Sequence, residues 1–175
     1  MKRTCLALAL GISFMFSLSQ PVFATNIQEY IEQPEIVGKA RLRIIFWDIY
    51  DASLFAPKGR FQQEKPFALA LTYLRDFDGK DIASRSVDEM RKLGMKDEMK
   101  LASWYQEIQD IFPNVKEGET ITGVVDDQQI SHFFLNDQLL GHVHDKEFSK
   151  WFFNIWLSED TSEPKMRKQL LGQVK

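Results

Sequence analysis

The sequence predicts an α+β fold, an antiparallel sheet with helices packed on one face. Three observations predict it. β-rich runs stand before and after a pair of helical stretches, Asx pairs separate the later β-runs, and the last third carries apolar residues at helical spacing. No internal repeat, low-complexity tract or linker interrupts this order, so one domain accounts for it.

The chain starts with a basic Met1-Lys2-Arg3-Thr4, an apolar run from Cys5 to Leu18, and Pro21-Val22-Phe23-Ala24. That is the layout of a cleavable signal peptide, with cleavage expected after Ala24 and residues 25–175 forming the domain. A membrane-spanning anchor needs roughly 20 apolar residues, and this run has about 14. Loss of Lys2 and Arg3 takes the net charge from −3 to −5, and removes the single cysteine. The mature protein is therefore expected in the periplasm, without a transmembrane span, a disulfide or thiol chemistry. An acidic exported chain with no basic run is not expected to bind nucleic acid.

The elements follow in order. Glu35 to Ala56 is β-rich and ends at Ala56-Pro57-Lys58-Gly59, a turn. Lys65 to Arg75 alternates, with Phe67, Leu69, Leu71 and Tyr73 on one side and Ala68, Ala70, Thr72 and Leu74 on the other; both faces are apolar, which predicts a central strand. Asp78-Gly79 opens a helix with Ile82, Ser86, Met90 and Leu93 on one face, and Gly94 closes it. From Asp97 to Phe112 a second helix carries Leu101, Trp104, Tyr105, Ile108 and Ile111 before Pro113 stops it. Short strands over 119–125, 129–135 and 138–142 are joined at Asp126-Asp127 and Asn136-Asp137. Asp145 caps a helix with the stripe Phe148, Trp151, Phe152, Ile155 and Trp156, and Pro164 starts a last short one.

Motifs for chemistry are sparse. There is no nucleophile elbow, Walker loop or dinucleotide fingerprint, and no cofactor is expected. His142 and His144 have strand spacing and, with His132 or Asp145, offer a metal set; the favoured reading is a polar strand end leading into the Asp145 cap. Arg41 and Arg43 stand at i and i+2 on a strand and share a face. There they either grip a carboxylate, with Tyr50 as a third donor, or decorate a solvated edge strand. Tyr73 and Trp104 line a pocket or fill core. Phe153 and Leu157 fall outside the stripe of their helix, so that helix is either buried on two sides or lines an apolar cavity.

Gly38-Lys39-Ala40-Arg41-Leu42 followed by Ile49-Tyr50-Asp51-Ala52-Ser53-Leu54 resembles the N-terminal hairpin of chalcone isomerase-like proteins. Phe112-Pro113-x-Val115-x-x-Gly118 resembles that family's helix-to-strand junction, and Ile155-Trp156-Leu157 with Arg167 and Leu170-Leu171-Gly172 its C-terminal signature. The likeness is to the bacterial secreted branch. It implies an open-faced β-sandwich, with a large antiparallel sheet under a helix layer, a small sheet on the other side, and a ligand cleft between sheet and helices. It also implies, for an isomerase, an Arg and a Thr on the hairpin and a Tyr in the first helix. An ungapped match puts Leu42 at the Arg, Tyr50 near the Thr and Ile82 at the Tyr. Isoleucine cannot donate a hydrogen bond to a developing oxyanion.

The expectation is a non-catalytic binder of a small amphipathic acid such as a fatty acid, with Arg41, Arg43, Tyr50, Tyr73, Trp104 and Phe153 as ligand-binding residues and no metal. One alternative is an interaction module for an envelope protein, its cleft filled by side chains. The other is an isomerase on another substrate, with Tyr50 or Asp81 supplying the acid.

Overall fold

Six strands stand in the sheet in the order of the chain, each antiparallel to the next. The computed structural model describes residues 27–174; the expected signal peptide, residues 1–24, lies outside the described residues. The elements are α1 (Ile27–Tyr30), β1 (Pro34–Ile44), β2 (Trp47–Pro57), β3 (Phe67–Tyr73), α2 (Gly79–Lys92), α3 (Glu98–Ile111), β4 (Thr120–Val125), β5 (Ser131–Leu135), β6 (Gln138–Val143), α4 (Lys146–Leu157) and α5 (Pro164–Leu170). No described helix is long and apolar enough to cross a membrane.

Strand parity sorts the side chains. Tyr50, Ala52 and Leu54 of β2, the odd-numbered residues Phe67–Tyr73 of β3, Ile121 and Val125 of β4, and Phe133 of β5 all join the main core with the four longer helices. The opposite face of β3 to β5 carries Ala68, Val124 and Phe134, which pack on Ile27 and Ile31. That is why β3 is buried on both faces, as its two apolar registers predict. Among the described residues there is one sheet. The small second sheet implied by the resemblance has no strand here, and α1 covers the far face in its place.

The helix boundaries follow local chemistry. Asp97 caps α3 by accepting from the N–H groups of Met99 and Lys100, both at 3.1 Å, and Asp145 caps α4 by accepting from Glu147 N–H at 2.8 Å. Asp78 makes no side-chain cap; the Gly79 N–H donates instead to Asn114 Oδ1 at 3.0 Å. Between β4 and β5 the turn is wider than an Asx pair. Asp126 Oδ1 accepts from Gln128 and Ile130 N–H, Gln129 takes φ 63°, and the strand starts at Ser131. Gly38 is where α5 rests on β1, since a Cβ there would stand 2.1 Å from the Gln169 carbonyl oxygen. The β1–β2 register slips between Ile36 and Gly38 and again between Leu42 and Arg43.

Candidate functional site

A cavity of about 360 Å³ lies between the sheet and the helices α2 and α4. Its floor is β2 to β5, with Leu69, Leu71 and Ile121 pointing up from the sheet. Gly123 in β4 leaves room for the Phe153 ring, because a Cβ there would stand 2.8 Å from Phe153 Cζ. Phe152, Phe153 and Trp156 of α4 form one wall. The α4 stripe is therefore wider than periodicity alone gives: Phe153 and Leu157 are buried, while Trp151 is only half-buried.

The polar groups gather on α2 and beside α5. Arg85, Ser86, Glu89, Ser162 and Glu163 join the lining. The Arg85 side chain is 62% exposed, so this end of the cavity reaches the surface. Glu89, only 7% exposed in its side chain, accepts from Arg85 at 2.8 Å, Lys92 at 3.0 Å and Ser162 Oγ at 2.6 Å. Burial raises its carboxyl, but the hydrogen bonds from Ser162 and Lys92 and the charges of Arg85 and Lys92 outweigh that and leave it below the ordinary value. It stays ionised at neutral pH.

Tyr50 and Tyr73 face each other across β2 and β3, ring centroids 6.0 Å apart. The Tyr50 hydroxyl accepts from Trp156 Nε1 at 2.9 Å. No hydrogen bond holds the Tyr73 hydroxyl among the described residues. Burial pushes both phenols up, so both remain protonated donors. The charges of Glu163, Arg85 and Glu89 all reach Tyr50, which ties Tyr50 to the polar groups.

Tyr50, Tyr73 and Phe153 thus line one cavity, whereas Arg41, Arg43 and Trp104 lie elsewhere. Arg41 and Arg43 do share a face, but it is the face turned away from the helices. Arg41 grips Asp51 through Nε (2.6 Å) and Nη2 (2.7 Å) and reaches Asp48 at 3.0 Å, and Arg43 bonds Asp48 at 2.6 Å. The physical reason is parity: Ala40, Leu42 and Ile44 take the inward positions of β1, which leaves the arginines outward. Neither arginine reaches the cleft. Trp104 is buried in the core, 2% exposed, with Nε1 donating to the Asp145 cap at 3.1 Å.

The three positions that the resemblance marks for an isomerase, Leu42, Tyr50 and Ile82, all line the cavity. Two of the three side chains present are aliphatic. His132, His142 and His144 sit away from it. The His132 ring bonds Asp126 at 2.9 Å and lies by His142 and Tyr30, and no group of three or more metal-ligating residues forms among the described residues. Sequence reasoning missed Arg85 and Glu89. A signal was present, because Ile82, Ser86 and Glu89 follow helical spacing and break the apolar face of α2 with polar groups.

The comparisons agree with this architecture. An uncharacterised protein of Haemophilus influenzae is 30% identical over 140 residues, covering 79% of this chain and 68% of the relative. Among solved structures, a fatty-acid binding protein of Arabidopsis thaliana superposes with a TM-score of 0.61 at 12% identity, over 81% of this chain and 88% of that one. At that identity the likeness speaks for the fold. The chalcone isomerase-like family matches residues 38–172. On that match, which spans nearly all of the described domain, the chain belongs to the chalcone isomerase-like family.

Proposed function

We propose that this chain is an exported, non-catalytic protein that binds a small amphipathic acid, such as a fatty acid, in the cavity between sheet and helices. The observation that carries the reading is the cavity itself: about 360 Å³, walled mostly by aliphatic and aromatic side chains, with Asp81, Arg85, Glu89 and Glu163 as its charged lining. Ligand sites begin at about 300 Å³ and have this composition. A cleft filled by side chains, as an interaction module would have, leaves no such space. The apolar Leu42 and Ile82 support a non-catalytic role, since neither steadies a developing negative charge.

In this reading the chain of the acid lies over Leu69, Leu71 and Ile121, and its carboxylate meets Arg85 and the Tyr73 hydroxyl. Arg85 is free to turn because Glu89 keeps Lys92 and Ser162 as partners. The fatty-acid binding protein that shares the fold supports this ligand class. The n-region, apolar run and Ala24 site support export to the periplasm.

Thermal unfolding with a panel of medium- to long-chain fatty acids tests the binding. At a ligand concentration a hundredfold above Kd the folded state gains about 2.7 kcal/mol, a shift of several degrees. Unchanged melting across the panel, with no lipid in mass spectra of protein from a periplasmic extract, defeats the proposal. N-terminal sequencing of that protein should begin at Thr25.

A further inference from the structure

The β1–β2 hairpin turns at Ile45-Phe46, and this two-residue turn is built from the wrong residues for folding alone. Ile45 sits at φ 56°, a left-handed conformation that β-branched side chains rarely adopt. Turns of this kind take Gly or Asn there. The crest is also bare. Phe46 is 90% exposed and Ile45 78%, and Ile44 and Trp47 on either side are largely exposed too. A contiguous apolar tip that carries backbone strain marks an interaction site.

Its surroundings point to one kind of partner. Arg75 stacks over the Trp47 ring at 4.0 Å and has no carboxylate partner among the described residues. Arg43 stands on the other shoulder, bonded to Asp48. Tryptophan beside arginine, just below an apolar crest, matches the zone between lipid head groups and acyl chains, where guanidinium meets phosphate. A second copy of the chain fits poorly. A standard-size stable interface buries about 800 Å² on each partner, more than the four side chains of a two-residue hairpin tip expose. A bilayer needs no matching surface.

We propose that this hairpin tip docks on a lipid bilayer surface, with Ile45 and Phe46 inserted and Trp47 and Arg75 at head-group depth. The place is apt, because Ile44 is exposed at the tip and also lines the cavity, with Ile49 and Leu42 next to it. Apolar surface therefore runs from the crest to the cavity wall. The docking stands whether or not the cavity takes an acid, and its test uses no cavity ligand.

Residues 25–175 carry every described element and omit the apolar N-terminal run, so they are the chain to use. They are sedimented with vesicles of phosphatidylethanolamine and phosphatidylglycerol while tryptophan emission is followed. The expected result is co-sedimentation with a blue shift from Trp47, as Trp104 and Trp156 are already buried and the half-buried Trp151 lies on α4, away from the tip. Phe46→Ser should weaken partitioning roughly tenfold. Ile45→Gly should weaken it while relieving the turn, so a folding defect cannot explain the loss. Trp47→Phe should abolish the blue shift and keep most of the sedimentation. Absence of vesicle binding overturns the proposal, and so does binding that survives both Ile45→Gly and Phe46→Ser. Self-association without lipid that Phe46→Ser abolishes would assign the tip to a second copy and overturn it as well.

Discussion

Two tyrosines at the same level of the cavity differ in one hydrogen bond, and their substitutions should differ accordingly. Tyr50 supplies the acceptor for Trp156 Nε1. Tyr50→Phe leaves that buried N–H unpaired, and is expected to cost about 1–3 kcal/mol in urea unfolding. Tyr73 has no such partner, so Tyr73→Phe should leave the urea midpoint nearly unchanged. If its hydroxyl meets the ligand, the same variant weakens fatty-acid binding by about 1 kcal/mol, roughly fivefold by calorimetry. Equal stability losses in the two variants would remove the distinction. At this scale the sequence was readable only in part. That Arg41 and Arg43 share a face follows from period two, and so does their outward direction, once Ala40, Leu42 and Ile44 are taken as the helix-facing set. What no local pattern carries is the identity of the partners. Asp48 and Asp51 lie on the next strand, and the slip between Leu42 and Arg43 brings Asp48 within reach of both arginines.

At the scale of elements, α4 joins the cavity to the rest of the fold, and its start is held by one residue. Asp145 accepts the Glu147 N–H through Oδ1 and the Trp104 indole through Oδ2, so it ties the first turn of α4 to α3. Asp145→Ala removes a cap, worth about 1 kcal/mol, and leaves a buried indole N–H unpaired, worth at least about as much again. Urea unfolding should therefore show a loss of about 2 kcal/mol or more. Asp145→Asn, whose one amide oxygen can keep the Glu147 cap but not the Trp104 bond as well, should recover part of it. The cap itself was legible, since Asx before an apolar periodic run is a local signal. The tie to Trp104 was not, because it spans 41 residues. The same contrast holds for Gly123. Alternation places it in a strand, but only the packed Phe153 ring shows why a larger residue fails there. Gly123→Ala should cost about 1–3 kcal/mol and shrink the cavity, which loss of ligand-induced thermal shift would report.

For the molecule as a whole, acid is the condition that tests both faces of the sheet together. On the helix side Glu89 is held by Ser162, Lys92 and Arg85; on the far side Asp126 is held by His132 and the Ile130 and Gln128 N–H groups. In each case burial raises the carboxyl and the hydrogen bonds more than offset it, so both folded values lie below the ordinary ones. The sign follows from which state binds protons first. The unfolded chain protonates near its ordinary values, about 4.3 for Glu and 3.9 for Asp, while the folded chain still resists. Stability from these groups is thus fully present above about pH 5 and falls as pH drops through the folded values. Urea midpoints should be level from about pH 7 to about pH 5 and then decline. Glu89→Gln should lower the neutral-pH midpoint and flatten part of that decline, and Asp126→Asn should do the same. The two carboxylates share no partner and lie on opposite faces, so the double variant should show the sum of both effects. A decline below pH 5 that neither variant flattens would mean that other carboxylates, such as Asp48, held below its ordinary value by the hydrogen bond from Arg43, set the acid limit of this fold.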